Sequence, residues 1–559
     1  MSKHVIYQVL PRLFGNEKSL NKPHGSIEEN GCGKFNNFTK QALQSIKDLG
    51  VSHIWYTGVL EHATQTDYSN YGIRRDHAAV VKGCAGSPYA IKDYYDVDPD
   101  LAVDVANRMK EFEELIERTH KMGMGVIIDF VPNHVAREYH SDNKPDDVRD
   151  LGEEDIDEHS FDSQNDFYYI PGQRFQPHFD IDDYVEYPAK VTGNNQFTHT
   201  PTVYDWYETV KINYGVDYLY GEKTYFQPTP PSWYKMRDIL LYWADKGVDA
   251  FRCDMAEMVP VEFWQWVIAE IKQSYPSIFF IAEVYNPSLY RRFIEQGGFD
   301  YLYDKVGLYD LLRNILCDQY PAAAITQAWQ SIEGIADHML HFLENHDEQR
   351  IASEFFTGDP FTARPAMIVS ATLMRSPVMV YAGQELGEKG MDVEGFSGRD
   401  GRTTIFDYWG VKSLQQWSNK GKYNDALLSD EQRDLRSFYQ RLLTICLNEP
   451  AVSRGKMFDL QYANLHHSEY NSMRQFSYFR QDNHELILVA VNFSSNDAST
   501  GIYIPTEAFE YLDIEPGTHY KITDLMDESY SSQIKLQIGE MVQLQLPANN
   551  GRILKLQKV

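Results

Sequence analysis

Several things that mark large classes of protein are missing from this 559-residue sequence. No stretch reaches the roughly 18 consecutive apolar residues of a membrane span, so nothing in it is expected to cross a bilayer. Positive charge is scarce: 52 Lys and Arg face 81 Asp and Glu, a formal charge of −29. Such a field repels phosphate backbones and anionic lipid, because counterion release needs cations on the protein side, so nucleic acid and membrane are excluded as partners. Cysteine is sparse and unpatterned. Cys32, Cys84, Cys253, Cys317 and Cys446 are odd in number, far apart and without CxxC or zinc-like spacing, and read as reduced, mostly buried thiols. The opening MSKHVIYQVLPRLFG lacks the basic start, apolar centre and small-residue cleavage site of a secretory signal, which predicts a cytoplasmic protein. A glycine-rich phosphate loop is also absent from VIYQVLPRLFGNEKS, where an open dinucleotide-binding sheet would carry one.

What is present is a large core and a repeated unit. With 43% hydrophobic residues and a length that buries roughly three quarters of the unfolded surface, disorder is excluded and more than one domain is expected. The first half repeats an amphipathic helix, a glycine and a short apolar strand: FTKQALQSIKDLG then VSHIWYTGV, VANRMKEFEELIERTHKMG then MGVIIDFV, WYKMRDILLYWADKG then VDAFRCD. In the second copy Phe112, Leu115, Ile116 and Met122 recur at helical spacing and Gly123 sits where a left-handed cap is needed. SIFFIAEV, HMLHFLEN and SPVMVYAG continue the series of strands. Serial β-then-α units without a phosphate loop predict an α/β fold, a (β/α)8 TIM barrel. Residues 135–231 interrupt it after the third strand with an acidic and then aromatic stretch far longer than a βα loop, and are expected to form an inserted subdomain. The barrel is then expected over 1–134 and 232–449. From 450 to 559 alternating strands, with a hairpin loop at QDNHE, predict a C-terminal antiparallel β-sandwich.

The polar residues of the barrel half collect at strand ends, which converge on one mouth. In VDAFRCD, Arg252 and Asp254 share a face, and the guanidinium is expected to favour an ionised, nucleophilic carboxylate. In SIFFIAEV, Glu283 ends an almost wholly apolar strand, where desolvation would keep it protonated as a general acid. One ionised and one protonated carboxyl is the pairing that glycoside hydrolysis needs. HFLENHDEQR delivers Asn345, His346 and Asp347 together, and VIIDFVPNHV puts Asp129, Val131 and Asn133 on one strand face with His134 beginning the next loop. The 38 tyrosines and 9 tryptophans include rings whose flat faces and polar edges suit sugars, although most fill the core. A metal-dependent barrel hydrolase with Asp129, His134, Asp254 and His346 as ligands is a rival reading of the same residues.

These ordered motifs (DFVPNH, FRCD, IAEV and ENHD, over residues 129 to 347) resemble those of the α-amylase family, glycoside hydrolase family 13. YAIKDYYDVDP, TVKINY and SPVMVYAGQE extend the resemblance across nearly the whole chain. The resemblance implies a retaining enzyme that cleaves α-1,4-glucosidic bonds in maltodextrins or related α-glucans through a covalent glycosyl-enzyme. It implies Asp254 as nucleophile, Glu283 as acid/base and Asp347 as the third carboxylate, gripping sugar hydroxyls. Arg252, His134 and His346 would line the same subsite and Tyr89 would stack on the sugar. A retaining mechanism requires the carboxyls of Asp254 and Glu283 to stand about 5 to 5.5 Å apart.

No cofactor is implied for the chemistry. A structural calcium is common in the family, with Asn133 at one ligand position and the acidic loop supplying further oxygens. Two departures stand out. Glu257 and Met258 occupy the places where many endo-amylases have a Lys-His pair, and Ser87 stands where many members have a histidine two residues before Tyr89. A transglycosylase shares the first half-reaction and is the alternative activity. A non-catalytic binding homologue normally lacks one carboxylate, and all three are here.

Overall fold

The computed structural model describes residues 3–483 and 485–559. Met1 and Ser2 of the MSK start, and His484 of the QDNHE loop, lie outside the described residues.

Eight short strands form one parallel sheet: β1 (Val5–Val9), β2 (His53–Tyr56), β3 (Gly125–Phe130), β4 (Ala250–Cys253), β5 (Phe279–Ala282), β6 (Tyr301–Tyr303), β7 (Met339–Leu340) and β8 (Val378–Tyr381). Their spatial order is β7-β6-β5-β4-β3-β2-β1-β8. A parallel bridge between His341 and Val378 joins the two ends and closes the barrel, as the serial β-then-α pattern predicts. The sequence read a longer seventh strand in HMLHFLEN. Only Met339 and Leu340 pair with β6, because His341 turns its backbone to the other neighbour, its N–H donating to Pro377 O at 3.0 Å and its carbonyl accepting from Met379 N at 2.9 Å.

Period two sorts each strand into an inner and an outer face. Ile6, Trp55, Ile127, Ala250, Ile281, Leu340 and Met379 fill the barrel, while Ile54, Ile128, Phe251 and Phe280 join the layer beneath the helices. Helices α1 (Lys40–Asp48), α2 (Arg108–Lys121), α3 (Pro231–Asp245) and α4 (Val261–Ser274) each feed a strand. After α2 the chain turns through Gly123 at φ +72°, the left-handed cap expected there.

Two excursions build the wall around the barrel's C-terminal end. One, between β2 and α2, carries an antiparallel pair, Leu60–His62 with Ile91–Val97. The other, between β3 and α3, contains only two- and three-residue strands, among them His134–Ala136 paired with Thr209–Lys211. His134 therefore begins a strand, where the sequence placed the start of a loop. Likewise β3 stops at Phe130, so Val131 and Asn133 lie beyond the strand face that holds Asp129.

The C-terminal part is an antiparallel sandwich of a six-stranded sheet and a two-stranded one, Ala498–Tyr503 with Met541–Leu546, sharing one apolar core. Arg480 ties the start of this part together and links it to the barrel at Leu373. This guanidinium is 1% exposed, and it donates to Ala451 O (3.1 Å), Leu373 O (2.8 Å), Val452 O (3.0 Å) and Gly455 O (2.7 Å). Replacing it with Leu would strand these buried acceptors, each of which costs about 1 kcal/mol or more when left unpaired. Arg480→Leu is expected to lower unfolding stability by at least about 3 kcal/mol in urea titration; an unchanged midpoint would show that the joint does not depend on it.

Candidate active site

The inward-facing positions at the C-terminal ends of the strands change from apolar to polar in one step. Ile127 is followed by Asp129, Ala250 by Arg252 and Ile281 by Glu283, and the register sets Arg252 opposite Asp129 on one side and Ile281 on the other. Arg252 is fully buried. Its Nη1 donates to Asp254 Oδ1 at 2.6 Å and approaches Asp129 Oδ1 at 3.4 Å, and its Nε donates to the Tyr303 hydroxyl at 3.1 Å. Nη2 stands 2.8 Å from Glu283 Oε2, a charge contact in which the N–H is not aligned on the oxygen.

Glu283 is held from two further sides. Tyr285 donates its hydroxyl to Oε1 at 2.5 Å, and the Met255 N–H donates to Oε2 at 2.8 Å. Met255 reaches that position through φ +43°, a left-handed conformation that costs a side-chain-bearing residue on the order of 1 kcal/mol. Asn345 caps its own turn: its Oδ1 accepts from the N–H groups of Asp347 and Glu348, each at 2.9 Å, which turns Asp347 into the mouth. His346 is wedged between Gln8 (Nε2 to Nδ1, 2.7 Å) and the Tyr89 hydroxyl (2.5 Å to Nε2), and its ring stacks on Tyr89 with centroids 5.2 Å apart. His134 Nε2 stands 4.0 Å from Asp254 Oδ2.

Tyr89, His134, Asp254, Glu283 and Asp347 thus line a single cavity of about 250 Å³. Arg252 lies under its floor and His346 behind Tyr89. The sequence did not single out Lys82, Trp206, Phe396 or Phe406, which complete the walls. They come from irregular loops with no periodicity to mark them. Tyr285 carried a usable signal, since it follows Glu283 by two residues.

Three buried carboxyls, Asp129, Asp254 and Glu283, share one guanidinium beside the half-buried Asp347, so they cannot all ionise freely. Burial lifts Asp254 above the ordinary carboxylate range. Arg252 and a hydrogen bond donated by the Glu283 carboxyl pull it back, and Asp129 adds to the rise. The pull from Arg252 is the one expected from the sequence; in the free protein burial outweighs it. Burial also raises Glu283, against Arg252 and with Asp254, while the two hydrogen bonds it accepts oppose the rise. Asp129 is pushed up to about 6 by burial, with Arg252 and the Trp55 and Gly58 N–H groups opposing. Burial, with Glu283 adding, raises Asp347 to about 8. Burial lowers His134 to about 3, helped by Lys211, and takes His346 well below its usual value. Both imidazoles are neutral at pH 7.

The metal-ligand reading of Asp129, His134, Asp254 and His346 does not suit this arrangement, because the Arg252 guanidinium already supplies the cation between the carboxylates. Asn133 fits calcium no better. Its Oδ1 accepts from the buried Lys211 ammonium, which also donates to Met258 O at 3.0 Å, and its Nδ2 donates to Gly193 O at 2.9 Å. The Lys211 side chain, its pKa lowered by burial to about 7, thus takes up the oxygen an ion would need. Glu257 ties two loops together, its Oε2 accepting from the N–H groups of Tyr285 and Asn286 at 3.0 Å each, and Ser87 lines the cavity in place of a histidine.

The fold and this cluster define a (β/α)8-barrel protein with a carboxyl-lined, sugar-sized pocket at the C-terminal mouth. The model of the alpha-amylase catalytic domain matches residues 8–435, and the chain belongs to the alpha-amylase family of glycoside hydrolases. It is 24% identical to the alpha-amylase MalA of Haloarcula japonica over 517 residues, 91% of this chain and 58% of that protein. To the cyclomaltodextrin glucanotransferase of Geobacillus stearothermophilus it is 22% identical over 533 residues, 91% of this chain and 62% of that one. The chain therefore spans about three fifths of the length of these relatives. Among solved structures, the alpha-amylase of Geobacillus thermoleovorans in complex with acarbose superposes with a TM-score of 0.63 at 20% identity, covering 99% of this chain and 98% of that one.

The raised Asp347 carboxyl has a measurable consequence. An unfolded Asp ionises near 3.9, whereas Asp347 in the fold holds its proton to about 8. Between those values the native state binds more protons than the unfolded one, so this group's contribution makes stability fall as pH rises from about 4 to about 8. Asp347→Asn is expected to melt several degrees above wild type at pH 8 and level with it at pH 4. Equal gains at both pH values in scanning calorimetry would contradict the assignment.

Proposed function

We propose that the protein is a retaining glycoside hydrolase acting on α-1,4-glucosidic bonds of maltodextrins and related α-glucans. The observation that carries this reading is the shared guanidinium: Arg252 touches Asp254 and Glu283 through its two terminal nitrogens at 2.6 and 2.8 Å. Two carboxyls gripped by one planar group support the short spacing of about 5 to 5.5 Å that a double displacement needs, against the roughly 6.5–9.5 Å that leaves room for an inverting water.

In this mechanism Glu283 gives its proton to the glycosidic oxygen as Asp254 Oδ2 attacks the anomeric carbon, Oδ1 being held by Arg252. The leaving sugar departs with that proton. Glu283, now ionised, takes a proton from water, whose oxygen attacks the glycosyl-enzyme and frees Asp254. Asp347 and the neutral His134 bind hydroxyls of the reacting sugar, Tyr89 stacks on its face with His346 holding it from behind, and the chemistry uses no cofactor. The division into barrel (1–134 and 232–449), insert (135–231) and β-sandwich (450–559) goes with this reading. Five unpaired cysteines suit a reducing compartment and support a cytoplasmic location.

Transfer to a second sugar is the alternative, favoured by the apolar Trp206, Phe396, Ile405 and Phe406 around the mouth, which offer an acceptor sugar a stacking surface and water little. The glucanotransferase among the relatives supports keeping it. Chromatography of products from maltoheptaose, pullulan and cyclodextrin, with and without added glucose, separates the two. Chain-lengthened products at low substrate would replace hydrolysis with transfer.

Two substitutions test the roles. Asp254→Asn is expected to lower kcat on maltoheptaose by several orders of magnitude, and near-wild-type turnover would end the assignment. Glu283→Gln is expected to cost comparably on maltoheptaose but far less on an activated aryl α-glucoside, whose leaving group needs little proton donation. Equal losses on both substrates would remove Glu283 from the acid role.

A further inference from the structure

Outside the pocket, the antiparallel pair of the β2–α2 excursion holds a second set of buried carboxylates. Glu61 pairs with Asp93 across this ribbon, and the register slips between Leu60 and Glu61, so that Leu60 pairs with Val97. In a regular strand Asp93 and Asp96 would point to opposite faces; the slip brings Asp96 round beside Glu61. One carboxylate oxygen from each of the three residues lies within 4.8 Å of the others. Glu61 is 1% exposed, and neither of its oxygens has a hydrogen-bond partner.

We propose that Glu61, Asp93 and Asp96 form a site for one calcium ion, distinct from the catalytic pocket and from Asn133. Calcium binds oxygen at about 2.3–2.6 Å, so two of its ligands stand at most about 5 Å apart. The observed spacing fits that limit. Carboxylate-only donors select a hard cation and disfavour zinc or copper.

The charges agree with a divalent ion. Arg108 pairs with Asp96, its Nε donating to Oδ2 at 2.8 Å, and Lys92 is engaged elsewhere, with Asp76 at 3.1 Å. Three carboxylates against the one guanidinium in contact leave two negative charges uncompensated. A proton on Glu61 would cancel only one of these two charges, whereas a divalent cation meets both. Asp93 accepts from the Ser141 hydroxyl at 2.6 Å and the Asn143 N–H at 2.9 Å, so an ion here would clamp the inserted segment to the ribbon and, through Arg108, to α2.

The test uses the full-length protein stripped with chelator and then given calcium chloride, magnesium chloride or sodium chloride. Calcium at millimolar concentration is expected to raise Tm by several degrees, magnesium by less and sodium not at all, with one calcium per chain retained after desalting. Glu61→Gln is expected to lose both the bound calcium and the shift. Its metal-free form should melt no lower than metal-free wild type, since the new amide can donate to the neighbouring carboxylates. Asp96→Asn provides a second variant with the same expectation for calcium. The proposal is overturned if stripped wild type neither retains calcium nor shifts with it, or if Glu61→Gln keeps the wild-type response.

Discussion

One buried cation organises the mouth of this barrel. Arg252 has no exposed surface, and four carboxyl or hydroxyl groups are arranged about it: Asp129, Asp254, Glu283 and the Tyr303 phenol. Taking a guanidinium and several carboxylates out of water costs several kcal/mol per ion, and their attraction offsets this only when the geometry is tight. The barrel supplies that geometry by pairing β3, β4 and β5 in register, so the three acids come from three rigid strand ends. Burial, with the excess of negative charge around a single positive one adding to it, then raises every neighbouring carboxyl, and the cluster retains protons at pH values where free acids have lost theirs.

Around this centre the roles divide between frame and wall. Strand ends fix Asp129, Arg252, Asp254 and Glu283, while loops bring Tyr89, Trp206, Phe396 and Phe406 over them. The two imidazoles, kept neutral by burial, present a donor and an acceptor each instead of further charge. Glu257 occupies a position that differs from many starch-cleaving relatives, and one oxygen of its carboxylate joins the loop after β4 to the loop after β5. The departure therefore carries architecture: it fixes the backbone of Tyr285, whose hydroxyl in turn reaches Glu283.

Much of this was readable in the sequence, for a definite reason. Asp129, Arg252, Asp254 and Glu283 sit at the ends of apolar strands, where a period of two decides the face and the barrel decides the meeting place. His346 and Asp347 were equally visible as an ENHD cluster, although the strand before them is far shorter than its composition suggested, because closure with β8 diverts His341. Lys82, Phe396 and Phe406 were not readable, since irregular loops carry no period from which to infer a direction. Asn133 was marked as a calcium ligand, and its oxygen here meets Lys211, which lies within the quoted TVKINY but reaches the asparagine only through the pairing of His134–Ala136 with Thr209–Lys211. Glu61 and Asp96 required a register slip that no local pattern announces.

The seam of the barrel bears on how the chain is made. Val5 pairs with Val378, and Lys3 donates to Met374 O at 2.8 Å, so the first strand meets its second neighbour only after some 370 further residues have been added. At synthesis rates of about 5–20 residues per second, that is a delay of roughly 20 to 75 seconds. Throughout it one edge of β1 has open backbone donors and acceptors, the kind of edge that recruits stray strands from other chains. Within the barrel, then, a strand edge made early is covered only among the last acts of assembly.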